Sequence, residues 1–408
     1  MSVRNKKASG GITVAALVAA AFGSLLAASP AEAACASFWG LGGGAQCSST
    51  FGNTAVALGA TGSADAVGGF GNTAIAGEGS EAFATGFGAT AIALGEDSTA
   101  ISAGIGTNAL VIGKNGYAIA TGLGSLAAQL GDSDYAGVAI ANGVGNRAIN
   151  VGADNVAEAD TAFPPVVALD DTASIGNNSV INIGSHNLGF ADGGFSNGVY
   201  NVGNYNYGEA HGFISNVIQL GDENQGASAG LGAESLTVGN GNKTTNIGNL
   251  SLVNTFGNDN VNTAIDPALI DSDPDNNLNP SLNLNTVLGN GNKVFVLGQR
   301  NITTVVGDDN QAVGKYGQPG VRGNGNLTTI LGSRNALRGC GCTDIGVDGD
   351  SNITTIVGND SRAGAKGNRN LTSVFGSHSR ANSVGDNKVS TAVGDNQQAD
   401  NGTNNSTP

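Results

Sequence analysis

Three histidines, His186, His211 and His378, are the only imidazoles in the chain, and no two stand at a spacing that metal ligands commonly use. Each lies in or beside a glycine turn, the setting of a solvated surface imidazole. Asp271, Asp273 and Asp275 in "DSDPDNN" alternate as the first oxygens of a calcium loop do. The glycine at the sixth position and the bidentate glutamate at the twelfth are missing, so calcium is a weak candidate there and no cofactor is expected. "GDEN" at 221, "GNDN" at 257 and "GDDN" at 307 place acids where they cap turns. "GFG" at 86, "GIG" at 104 and "GLG" at 122 imitate fragments of phosphate loops, but no helix start follows them. Four cysteines allow a short loop closed by Cys35 and Cys47; a Cys340–Cys342 bond would be strained, and four free thiols are the other state. Catalysis needs a positioned acid, base or nucleophile, and no such set is visible, so an enzyme is not expected. A polysaccharide-active β-helix with carboxylates on one face is the enzymatic alternative.

What the chain repeats is a glycine rather than a catalytic motif. Gly59, Gly68, Gly77, Gly86, Gly95, Gly104, Gly113, Gly122 and Gly131 fall nine residues apart, and the beat returns from Gly194 to Gly257 and again from Gly289 to Gly394 with slips. A turn of about four residues opened by a positive-φ glycine, followed by about five of strand, makes one side of a flattened coil. "GFG", "GIG" and "GLG" recur every eighteen residues with "GEDS", "GKNG" and "GDSD" between them, so a coil has two unlike sides. The expected fold is all-β: a parallel β-solenoid of nine residues per side and eighteen per coil, about twenty coils and about 90–100 Å long. Asn301, Asn310, Asn326, Asn335, Asn352 and Asn370 recur at one turn position, where their amides can bond turn backbone as a ladder. That role, rather than glycosylation, is expected for "NIT" and "NLT".

Alternation assigns the interior. Counting the glycine as first, the sixth and eighth places hold Ala82 and Ala84, Ala91 and Ala93, Ala118 and Ala120, whereas the fifth accepts Glu81, Arg362 and Arg380. Small residues therefore fill a thin core, and Ile92, Leu94, Leu110, Ile112, Ile119 and Leu130 at the seventh and ninth places form an exposed apolar stripe that calls for a partner. The other arrangement that fits has the parity reversed on one side, making those residues core. "NITT" at 301 and 352 and "NLTT" at 326 set one hydroxyl per coil, Thr304, Thr329, Thr355 and Ser373, in a column whose regularity could match a lattice.

Residues 1–33 read as a signal peptide: Arg4, Lys6 and Lys7, the apolar run "ITVAALVAAAFGSLLAA", then "AEA". Residues 34–49 form an N-terminal cap, 50–156 an Ala/Gly-rich solenoid, 176–263 an Asn/Gly-rich one and 286–399 a Thr/Asn-rich one. The proline-bearing segments 157–175 and 264–285 are expected to loop out, and 400–408 to be a disordered tail. No transmembrane segment is expected in the mature chain. Residues 34–284 carry 22 acids and three bases, and 285–408 nine acids and eleven bases. The acidic surface argues against nucleic acid as a partner, and the basic end suits an anionic envelope polymer.

"GNTAVALG", "GNTAIAGEGS", "ATAIALGEDSTA" and "TNALVIG", over residues 50–156, resemble the head repeats of YadA-like trimeric autotransporter adhesins. The remainder resembles glycine/asparagine-rich nonapeptide β-solenoid surface proteins. The resemblance implies a left-handed β-roll whose copies pack through outward apolar residues; the family's stalk and membrane barrel are missing from this chain. The expectation is a secreted, extracellular or cell-surface, bacterial, adhesin-like structural scaffold, forming a homo-oligomer and meeting a host-surface, matrix or envelope-polymer ligand. The alternative is an ice- or crystal-binding solenoid using the threonine column.

Overall fold

The computed structural model describes residues 35–42, 46–160, 177–266, 282–313, 319–337 and 346–401, and the backbone of 403–405. Among these residues every regular element is a strand. The strands stack in parallel into two sheets. Sheet A has nineteen strands, of which two belong to an N-terminal cap, so the rod is a β-solenoid of about 17 turns with roughly 18 residues per coil. That is fewer than the twenty the glycine count suggests, because some residues paired in neighbouring coils are 32 apart in the chain rather than 18, as Ala148 and Val180 are. At the usual strand spacing the sheet is about 80 Å long.

The turns explain the beat. Gly104, at φ 143°, closes a sheet B strand, and a Cβ built on it would lie 1.9 Å from the carbonyl oxygen of Gly122 one coil on. Only glycine fits where two coils touch backbone to backbone. Two residues later the chain sits in the left-handed region, as at Gly106 (φ 64°) and Asp309 (φ 56°). Next comes an inward side chain that ties neighbouring coils: Asn310 donates its side-chain amide to the carbonyl of Gly332 at 2.7 Å and its backbone N–H to Asn292 Oδ1 at 2.9 Å. Asn301 does the same toward Gly323 and Asn283, so the asparagines form the expected ladder. The acidic turns are part of a second, exposed ladder, in which Asp222 Oδ1 accepts the backbone N–H of Asn204 at 2.7 Å.

Strand alternation places alanine inside the first coils, with Ala82, Ala84, Ala91, Ala93, Ala118 and Ala120 all buried. Further along, the interior takes larger groups. Val180, Val199 and Val217 pack beside the buried amides Asn182, Asn201 and Gln219, and from Val287 onward Val305, Ile330 and Ile356 pack beside Thr303, Thr328 and Thr354. A buried amide needs an internal partner: Asn201 Nδ2 donates to Asn182 Oδ1 at 2.9 Å, which keeps the ladder running through the core.

At each end one sheet edge is covered. Cys35–Phe38 pairs antiparallel with Thr54–Ala57, covering the first edge of sheet A, and the Cys35–Cys47 disulfide fastens it. At the other end Thr403–Asn405 folds back antiparallel onto Gln398–Asp400, where the sequence suggested an unstructured tail. The expected loops begin and end differently: Val156–Asp160, Val261–Ile265 and Leu284–Leu288 are strands in register with their neighbours. Two further insertions leave from sheet B, where Gln311–Ala312 and Val321–Arg322 are two pieces of one strand position, both paired with Lys293–Leu297. Residues 1–34, with the signal peptide, and the core of each expected loop lie outside the described residues.

Candidate interaction face

The parity inferred from alanine holds on both sheets, and the reversed arrangement is excluded. Ile92, Leu94, Leu110 and Leu130 are half-buried and Ile112 is exposed, each pointing out after a buried residue that points in. Five of the six stripe residues share sheet A, where Ile92 lies beside Leu110 and Leu94 beside Ile112, which in turn lies beside Leu130. Ile119 does not belong with them: it stands on sheet B, stacked between Ile101 and Ile140, because one coil crosses both sheets and equal repeat positions fall on opposite sides.

The threonines prove to continue the isoleucine stripe. From Ile92 and Leu110 the middle outward position of sheet A passes through Ala128, Ile149, Ile181, Tyr200, Ile218, Leu236 and Asn254 to Thr286, Thr304, Thr329, Thr355 and Ser373, each beside the next in register. The insertions do not break it, since they leave from the other sheet. Thr304, Thr329 and Thr355 are half-buried, and Ser373 is only 8% exposed between Leu371 and Phe375.

Two flanking columns complete the face; the stripe read from the sequence held the start of one, in Leu94, Ile112 and Leu130, and none of the other. The first outward position carries Thr73 and Thr90 early and Ile302, Leu327, Ile353 and Leu371 late. The fifth carries Leu94, Val202, Leu220, Leu288, Leu331 and Phe375. The signal was present in "NITTVVG", whose alternate residues are Ile302, Thr304 and Val306. Across the outward positions of the parallel strands of sheet A only Arg147 and Glu234 carry a formal charge. An apolar ridge flanks the early half of the face: Phe87 (59% exposed) and Ile105 (55%) project between the paired glycines of the turns that lead into it.

Sheet B is the more highly charged side, although the early part of its middle outward column, Phe83, Ile101, Ile119 and Ile140, is apolar. Its outward residues include Glu81, Glu158, Glu209, Lys243, Lys293, Arg362 and Arg380. Burial, then Asp160 and Asp192, push the Glu158 carboxyl above its ordinary value, and burial with a hydrogen bond to Glu209 pushes the Tyr207 hydroxyl up to about 12. This is the carboxylate grouping that the enzymatic alternative would draw on. The imidazoles are accounted for locally. His186 stacks on Tyr205 with centroids 4.6 Å apart and lies 3.5 Å from Asp154, His211 lies 3.8 Å from Glu209, and His378 lies 3.8 Å from Asp360. No group of three metal-ligating side chains occurs among the described residues. Asp271, Asp273 and Asp275, and Cys340 and Cys342, lie outside the described residues.

No family model, curated protein or solved structure matches the chain. The fold and the face define the class: a parallel β-solenoid with one apolar and one charged side.

Proposed function

We propose that the protein is an exported, non-enzymatic scaffold of the cell surface or surrounding matrix, adhesin-like in its use of a solenoid surface, and that sheet A is the surface it works through. The single observation that carries this is the length of that face: three outward columns, apolar or hydroxyl-bearing over most of the rod, with charge only at Arg147 and Glu234. An apolar surface of this extent on one side of a rod whose other side is charged is the mark of a partner. The leader-like residues 1–33 and the resemblance of residues 50–156 to adhesin head repeats support export and surface use.

The test is to place acids on one face at a time. Ile92→Asp with Leu110→Asp charges sheet A, and Ile119→Asp charges sheet B. All three side chains point outward, so folding is retained and each variant keeps its β circular dichroism. Light scattering should find the parent and the Ile119 variant as multimers and the sheet A variant as a monomer. A monomeric parent, or a sheet A variant that still assembles, overturns the reading.

A second reading has its own observation: Thr286, Thr304, Thr329, Thr355, Ser373 and Thr391 run at one-strand intervals without interruption. A line of hydroxyls at about 4.8 Å intervals on a flat apolar face suits an ice or mineral lattice. Inhibition of ice recrystallisation that disappears on Thr329→Leu with Thr355→Leu would select it, and an inactive parent removes it.

A further inference from the structure

We infer that the occupant of the sheet A face is a second copy of this chain, packed face to face and antiparallel, about a two-fold axis that runs along the strand Gly198–Val202. The inference rests on the proposed use of sheet A and adds the partner and its register.

The first argument is charge. Arg147 and Glu234 occupy the same outward column, at the first position of their strands. Arg147–Val151 lies two strands before Gly198–Val202 and Glu234–Val238 two strands after it. A half-turn about Gly198–Val202 therefore sets each copy's Arg147 opposite the other's Glu234. The only two formal charges on the face neutralise each other twice, and no charge is left against an apolar surface. A half-turn about the rod axis would instead keep Arg147 at the level of its own counterpart and pair neither charge.

The second argument is size. Thr90 and Ile92 lie on a strand five before Gly198–Val202, and Ile302 and Thr304 on one five after it. The antiparallel half-turn brings small Thr90 to large Ile302 and large Ile92 to small Thr304, and the neighbouring strands repeat the exchange. The reversal of Thr–Ile into Ile–Thr between the two ends of the rod, which nothing within one copy requires, becomes a set of matching bumps and hollows. Rotation about the rod axis would bring Ile92 against Ile92.

The third argument is area. Fifteen of the strands overlap in this register, about 70 Å by about 16 Å, burying about 2,200 Å² in total, at or above the standard size of a stable interface. An antiparallel strand covers the edge of sheet A at the N-terminal end and the edge of sheet B at the C-terminal end, whereas the lateral face of sheet A is open along its whole length.

The experiment has two arms on the whole protein. In the first, Arg147→Glu and Glu234→Arg are made singly and together, and dimer dissociation is measured. Each single variant creates two like-charge contacts and should weaken the dimer by at least about tenfold, while the double variant restores it. Both side chains are exposed, so loss of folding does not confuse the result. In the second arm, with Cys340 and Cys342 replaced by serine, Ile92→Cys with Thr304→Cys should oxidise to a covalent dimer that neither single variant gives. A covalent dimer from Ile92→Cys alone, or a double charge variant as weak as the singles, overturns the antiparallel pairing while leaving sheet A as an interface. A monomeric parent overturns both.

Discussion

Replacing Gly104 by alanine and, separately, Gly106 by alanine separates two reasons for glycine that lie two residues apart in one turn. Both positions have positive φ, 143° and 64°. At Gly106 a Cβ would meet nothing within 4 Å, so the cost is the left-handed backbone alone, about 1–2 kcal/mol. At Gly104 the Cβ would lie 1.9 Å from the Gly122 carbonyl oxygen and 2.9 Å from the Gly122 nitrogen. The coils must separate or the strand must bend, losing ladder hydrogen bonds on both sides, at about 1 kcal/mol each, on top of backbone strain of about 1–3 kcal/mol. The sum, about 4 kcal/mol or more, should lower the urea midpoint well below that of the Gly106 variant, with the slope unchanged if unfolding stays two-state. Equal midpoints would refute the backbone-contact explanation of the nine-residue beat and leave only turn conformation.

Three shorter expectations follow from the same structure. Ile356→Ala empties a fully buried site and should cost about 2–5 kcal/mol in urea unfolding, whereas Ile353→Ala, 44% exposed on sheet A, should leave the stability of the single copy nearly unchanged. Equal losses would mean that the outward column is core. Cys47→Ser opens the 12-residue disulfide loop and should destabilise the capped end by about 2–3 kcal/mol, seen as earlier exchange of the amides of Thr54–Ala57 than of Leu371–Phe375. Glu158 is harder to ionise in the fold than in the unfolded chain, so its stabilising contribution is full below the unfolded carboxyl value and is lost as pH rises through the raised folded one. Glu158→Gln should therefore raise the melting temperature at pH 7, an advantage absent at pH 3; a variant less stable at pH 7 contradicts that sign.

The solenoid was legible because its determinants are local and repeated. Gly86, Gly104 and Gly122 mark the turns, and Ala91 and Ala93 mark the interior by alternation alone. The face was legible only in fragments. Ile92 and Thr304 look like unrelated features 212 residues apart in the chain, and their union in one column depends on which residues add a coil and which leave the rod. The slip of period after Gly307 does not say that the extra residues depart from sheet B and spare sheet A. Ile119 went astray for a related reason, since the nine-residue beat treats both sides of a coil alike while the two sheets do not. The deeper interior was also hidden: the alanine pattern of the first coils does not announce Asn182, Asn201 and Gln219 as interior residues, and the stacking shows their amides bonded coil to coil or to backbone. The closing strand Thr403–Asn405 escaped because an antiparallel cap carries no repeat.

Hydroxyl-radical footprinting of the parent protein above and below its dissociation concentration tests most directly which surface is covered. If the copies meet through sheet A, labelling of Leu288, Leu331 and Ile353 falls as the protein associates, while that of Phe83 and Tyr207 on sheet B is unchanged. Protection confined to Phe83 and Tyr207, or equal labelling of both sheets at every concentration, would contradict the account.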